Sequence, residues 1–447
     1  MNIDRDFYKQ MLYIAIPIAI QNLIVSSLNT LDTMMISTLG AATIAGVGLA
    51  NQVFFFFMMI CFGIGTGSSV LISQYHGRRD QFNVKRVNGL ASILAMTVGL
   101  IFTVVCFFWP NELLGLMIND PEAVKEGAKY LSLVSLSYII TGFSFANGIS
   151  LRSTGNPRTP LTASIISFVF NAFFNYALIF GKFGFPELGV VGAALGTIIA
   201  RVAEAYVIIY VARRYKSPLS GSIREMVAFD KAFFDKYIHI TAPVIVNETF
   251  WALGQVLYSV AYAIVGTEET AAIQVVVAIQ NIAFVLIRGL SNSCAIVLGN
   301  TIGQGQMDKI YIYAVRFLKI GFFLAFTIGI FLSLTPSFTL SLFGNLDPSV
   351  REIAHNLLKV MGITFICKAF NSIIIVGVLR GGGDTKQSMY MEMGTVWLIG
   401  VPLAFIGAAV FHLPIYYVVV LASMEEFAKT ILGVLRVRSK KWIHELT

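Results

Sequence analysis

Of 447 residues, 13% are charged and 56% fall in the apolar set AVILMFWYC, and the mean hydropathy is +0.76. Soluble chains carry about 25% charged residues and disordered chains have low hydropathy, so both classes are excluded and an all-α integral membrane protein is expected. The net charge of +8 is scattered over short loops instead of gathered on a water-facing domain, which argues against a nucleic-acid partner.

A helix needs about 20 apolar residues to cross a hydrocarbon core of about 30 Å, because lipid cannot satisfy free backbone groups. The opening MNIDRDFYKQ carries acids and runs straight into the first such stretch, which therefore reads as a first span and not as a removable signal peptide. In chain order twelve stretches qualify: residues 11–37, 50–75, 90–110, 130–151, 161–181 and 190–212, then 239–265, 274–300, 314–335, 353–379, 388–411 and 415–435. Lys and Arg in short loops stay on the cytoplasmic side. One set of loops, including Arg78, Arg79, Arg152, Arg213, Lys216, Arg224, Arg380 and Arg436, holds 22 basic residues; the other holds 4, Lys125, Lys129, Lys182 and Arg351. Both termini are accordingly expected in the cytoplasm. Cys61, Cys106, Cys294 and Cys367 lie in or beside apolar runs and are expected as free thiols.

The two halves overlay at an offset of 226 to 228 residues. LRSTGNPRTP from Leu151 matches LRGGGDTKQS from Leu379, GIGTGSSVLISQYHG from Gly63 matches GLSNSCAIVLGNTIG from Gly289, and DRDFYKQ before Pro17 echoes DKAFFDK before Pro243. Six spans per half is an even number, so the halves share an orientation and should be related by a pseudo-two-fold axis along the membrane normal. The reading divides the chain into a six-helix lobe at 1–212, a basic linker at 213–237 with an interfacial FDKAFFDKY helix, and a second six-helix lobe at 238–447.

Ionisable side chains within spans cost roughly 2.5 to 3.5 kcal/mol each at the bilayer centre, so they should face protein or water. Here they are Asp32, Glu204, Glu248, Glu392, Glu425 and Glu426 against Arg201, Arg288, Lys368 and Lys429. Arg201 with Glu204, and Glu425 with Lys429, are spaced to pair on one helix face. Asp32 has no base three or four residues away, so no local ion pair can fix its charge and it is the first candidate for ion exchange. In the second half Glu248 matches the neutral Asn22, Lys368 and Asn371 share a face, and Glu392 follows. Lys368 is expected near Glu248 or Glu392, in a cluster that either exchanges ions or is a structural salt bridge. Six acids against four bases disfavours the broad basic cavity that a flippase of lipid-linked saccharides would need. No paired-histidine zinc spacing occurs, and RGGGDTK lacks the spacing of a phosphate loop, so neither a metal nor ATP is expected and energy must come from an ion gradient. A membrane-embedded enzyme would need a His, Ser or metal constellation, which is absent from the sequence, and a channel would show unsaturable flux.

LDTMMISTLG with Asp32, the ISQYHG loop, the paired LRSTGNP and LRGGGDT loops, and NAFFNYALIFGKFGFPELGVVGAALGT from Asn171 to Thr197 together resemble the multidrug and toxic compound extrusion (MATE) family along the whole chain. The resemblance implies two six-helix lobes in a V, antiport driven by H+ or Na+, and export of amphiphilic, often cationic, small molecules across the cell (inner or plasma) membrane by a monomer without cofactors. It also implies that Asp32 is the coupling carboxylate, with Asn171, Asn175 and Thr197 as the polar residues around it. Some members have a cation site around a seventh-helix glutamate; Glu248 stands about one turn nearer the helix start, and Lys368 has no counterpart in that site.

Overall fold

The computed structural model describes residues 2–214, 221–341 and 346–447. Among them the backbone is helical, apart from turns and an isolated antiparallel bridge between Gly383 and Ile443. Twelve long helices follow in order: α1 (Asn2–Ser37), α2 (Ala41–Gly77), α3 (Gln81–Phe108), α4 (Pro121–Ser153), α5 (Arg158–Phe180) and α6 (Val190–Arg214), then α7 (Lys231–Val265), α8 (Thr267–Gly303), α9 (Met307–Leu334), α10 (Pro348–Arg380), α11 (Thr385–Val410) and α12 (Ile415–Arg438). Each predicted span falls on one of them. Ten are apolar enough to cross a membrane outright; α7 and α12 dilute their hydropathy with Asn247 and Glu248, and with Glu425, Glu426 and Lys429. This is the architecture of an all-α, multi-pass membrane protein, in which each helix satisfies its own backbone hydrogen bonds.

The chain folds as two compact units, Ile20–Ile245 on one hand and Met1–Ala19 with Val246–Thr447 on the other. A cut at the 213–237 linker would keep α1 with the first half and α7 with the second; the units instead exchange the heads of these two helices. The reason lies in the small residues of the repeated glycine motif. In the second unit Phe7, Met11, Ile14 and Ile18 are buried beside Ile287, Leu290 and Phe317, and Ser293 Oγ donates to Met11 O over 3.0 Å. A Cβ on Gly289 would lie 2.7 Å from Ala15 O, so only glycine lets the head of α1 seat there. In the first unit the matching motif receives the head of α7: a Cβ on Gly63 would lie 2.6 Å from Ile245 Cα, and Ser68 Oγ bonds Tyr237 Oη at 2.8 Å.

The linker helix Ile223–Met226 docks on the start of α3. Lys85 Nζ reaches Glu225 Oε1 at 3.1 Å, Arg86 stacks 3.9 Å over the Phe233 ring, and Met226 O abuts Gly89. The Ser222 N–H and the Lys85 ammonium hold the exposed Glu225 carboxyl below the usual carboxylate range. Lys216 lies outside the described residues. The FDKAFFDKY segment opens α7, which runs without a break from Lys231 to Val265.

Candidate functional site

The first site lies where α1, α5 and α6 of the first unit meet. Asn171 and Asn175 are four residues apart, so both point from one face of α5. Gly196 brings α6 so close that a Cβ there would lie 2.9 Å from Asn175 N and would strike its side-chain oxygen. The amide is thereby held in a slot. One hydrogen of Asn175 Nδ2 goes to Asp32 Oδ1 at 2.7 Å and the other to Asn171 Oδ1 at 3.1 Å, while Asn171 Nδ2 donates to Thr197 Oγ1 at 3.3 Å. All four residues expected from the sequence are joined in one chain of hydrogen bonds. Asn171 and Asn175 are 1% exposed, whereas Asp32 is half-buried, so the carboxylate is the open end of a buried polar chain in which Asn175 Oδ1 is left without a partner. Tyr130 packs beside Thr197. The nearest base, Arg201, is bound to Glu204 at 2.9 Å, as their spacing predicts, and so does not neutralise Asp32 by contact.

The second unit does not hold the second predicted cluster together. Glu248 and Glu392 are bridged by Arg380, with Nη1 to Glu248 Oε1 at 2.6 Å and Nη2 to Glu392 Oε2 at 3.2 Å, and Asn247 Nδ2 donates to Glu392 Oε2 at 2.5 Å. Lys368 and Asn371 belong to another group on α10 and α12. Asn371 Nδ2 donates to Glu426 Oε2 at 2.7 Å, Thr430 Oγ1 donates to Asn371 Oδ1 at 2.9 Å and Lys429 meets Glu426 at 3.4 Å, while Lys368, one turn before Asn371 on α10, feels the charges of Glu426 and Glu425 together with those of Lys429 and Arg288. The expected pairing of Lys368 with Glu248 or Glu392 is thus replaced: a different base occupies both carboxylates. Lys429 likewise bonds Glu426, not the Glu425 its spacing suggested.

Arg380 is the residue sequence reasoning missed, because it ends an apolar run and reads as a loop cation. The last turns of α10, Ile373–Arg380, are π-helical, and the side chain is 2% exposed. Arg152, its repeat partner, also turns inward, with Nη2 on Gln21 Oε1 at 2.5 Å. With these two the interior charges become six acids and six bases, so the excess of acids read from the sequence does not hold. The signal was present in the LRSTGNP and LRGGGDT match, which pairs the two arginines.

The profile of the MatE family matches residues 17–177 and again 243–406, two copies that begin 226 residues apart at Pro17 and Pro243. The chain belongs to the MatE family. Curated relatives of this MatE chain include an uncharacterized transporter, YisQ, of Bacillus subtilis, 27% identical over 96% of this chain and 94% of that protein. They also include a probable multidrug resistance protein, NorM, of Thermotoga maritima, 26% identical over 91% of this chain and 86% of that protein. Among solved structures, a multidrug resistance MATE family transporter of the MOP superfamily in an outward-facing conformation superimposes with a TM-score of 0.88 at 20% identity, covering 97% of this chain and 95% of that one. A MOP superfamily transporter from Pyrococcus furiosus, for which reverse polarity of the binding pocket is taken to suggest a different function, superimposes with a TM-score of 0.86 at 19% identity over the same shares. These likenesses confirm the fold. As a MatE protein the chain is a multi-pass membrane transporter and not an enzyme.

Proposed function

We propose that this MatE protein is a multidrug exporter of the cell (inner or plasma) membrane that exchanges H+ or Na+ for amphiphilic, cationic small molecules by alternating access. The observation that carries the reading is the Asn175 to Asp32 hydrogen bond of 2.7 Å, at the open end of a buried chain that continues through Asn171 to Thr197. A half-buried carboxylate without a contacting base attracts either a proton, a sodium ion or a cationic substrate, and these compete for one charge. Binding of the ion from outside releases the substrate; loss of the ion inside restores the carboxylate for the next one. One inward charge at 100 mV supplies about 2.3 kcal/mol, against about 1.4 kcal/mol for a tenfold gradient of a neutral substrate; for a monovalent cation exchanged one for one the two charge movements cancel, and the concentration gradient of the ion drives export. The names of the multidrug-resistance relatives support the substrate class. We read the protein as a monomer in lipid, with cytoplasmic termini, working without ATP or nucleic acid.

A flippase of lipid-linked saccharides is the rival reading. Against it, four of the six interior bases, Arg152, Arg201, Arg380 and Lys429, are each engaged by a partner of their own, Gln21, Glu204, the Glu248–Glu392 pair and Glu426, which leaves only Arg288 and Lys368 for a pyrophosphate. Efflux of a cationic dye from proteoliposomes under separately imposed proton and sodium gradients tests the proposal. Efflux driven by one of the two gradients is expected; efflux indifferent to both overturns it.

A further inference from the structure

The internal repeat pairs more than sequence. Gln21 and Asn247 each stand four residues after a proline, Pro17 and Pro243; Arg152 and Arg380 are 228 apart, and so are Ser164 and Glu392. In the first unit Arg152 holds Gln21, and Gln21 Nε2 donates to Ser164 Oγ at 2.8 Å. In the second, Arg380 and Asn247 both hold Glu392, and Arg380 also holds Glu248. The turns after the two arginines close alike: Gly155 N to Arg152 O at 3.0 Å and Asn156 N to Leu151 O at 2.8 Å, against Gly383 N to Arg380 O at 2.9 Å and Asp384 N to Leu379 O at 2.9 Å. Gly155 and Gly383 have φ of +80° and +92°, which favours glycine at that point of each turn. Each bracket therefore ties three helices, α1, α4 and α5 or α7, α10 and α11. The chain passes from one unit to the other between residues 19 and 20 and between 245 and 246, immediately before the bracketed amides.

We propose that Arg152 and Arg380 are paired positioning residues. Each clamps the stretch of α1 or α7 just beyond its proline, so that during transport these helices bend only on the near side of the clamp, in the turn before the proline where the ring removes a backbone hydrogen bond. The inference rests on the alternating-access reading above. The brackets differ in strength. Arg152 meets neutral partners, with Asn22 and Ser164 standing where the other half has Glu248 and Glu392, whereas the Arg380 fork spans two carboxylates. Loss of Arg380 should accordingly do more harm than loss of Arg152.

The test is dye efflux in proteoliposomes at matched protein content, with dye binding measured separately. For Arg380→Gln, turnover should fall about tenfold or more while half-saturation and dye affinity stay within about twofold, since a positioning defect spares binding; Arg152→Gln should show a smaller fall of the same kind. Glu248→Gln with Glu392→Gln, keeping Arg380, copies the neutral bracket of the first half: abundance should fall, because the buried guanidinium loses its counter-charges, but the folded protein at matched content should still couple efflux to the imposed gradient. Arg380→Lys serves if Arg380→Gln does not fold: it keeps the charge but cannot span both carboxylates, so reduced turnover at normal abundance is expected. Wild-type turnover in Arg380→Gln or Arg380→Lys overturns the bracket. So does loss of gradient coupling in the double glutamine variant, which would make the glutamates an ion site. Wild-type protein indifferent to both gradients would instead sink the exporter reading.

Discussion

Asn175 and Asp32, 143 residues apart in sequence, meet at 2.7 Å, and the donor nitrogen is the one that also bonds Asn171. The amide thus orients the carboxylate without neutralising it. Its position is set by Gly196, which leaves Asn175 no other room.

Asp32→Asn preserves shape and hydrogen bonding but cannot ionise. The variant should insert normally and bind neutral ligands, yet lose gradient-driven efflux. Wild-type efflux rates at equal membrane abundance would remove Asp32 from coupling.

Asn175→Ala removes the donor to both Asp32 and Asn171, and a buried acceptor left bare costs about 1–3 kcal/mol. A lower unfolding temperature in detergent is expected, together with impaired efflux. Paired with Asp32→Ala, which removes the acceptor, the stability losses should be less than additive, because the two changes break one shared bond; strict additivity would deny the coupling.

Lys368→Ala should couple to Glu426→Gln and not to Glu248→Gln, since Lys368 sits in the field of Glu426 while Glu248 is bonded to Arg380. Double-mutant cycles on thermal stability decide it: an interaction of about 0.5 kcal/mol or more is expected for the first pair and none for the second. The opposite pattern would restore the pairing expected from the sequence.

The residues after α12 fold back on the RGGGDT turn. Trp442 is fully buried, a Cβ on Gly382 would lie 2.2 Å from its ring, His444 N donates to Gly382 O at 2.8 Å, and Arg436 Nε holds Asp384 at 2.7 Å. Trp442→Ala should cost about 3–5 kcal/mol, as for other buried aromatics, and Gly382→Ala should destabilise by overpacking. An unchanged unfolding temperature in Trp442→Ala would contradict the burial.

Orientation can be read from cysteine reporters at Phe82 and Ser222 in a background without native cysteines. Both positions are exposed on the side assigned to the cytoplasm by the basic loops. Labelling from inside only is expected; labelling of either from outside in sealed cells would reverse the topology.

The twelve helices were legible in the sequence because crossing lipid demands about 20 apolar residues whatever the neighbours do. The repeat was legible because its glycines and prolines answer to backbone geometry, which leaves few alternatives. Asp32 with Asn171, Asn175 and Thr197 was legible through the family motif, and the structure joins the four by contact. What tertiary structure alone decided was which charge meets which. Hydropathy places Arg380 at the edge of a span, where its long side chain is free to turn outward to water or inward to carboxylates. The π-helical end of α10 and the positions of Glu248 and Glu392 on two other helices settle that choice. The exchange of the heads of α1 and α7 was hidden for the same reason. A buried apolar face looks alike in sequence whichever neighbour covers it, and only the close approach at Gly63 and Gly289 selects the partner.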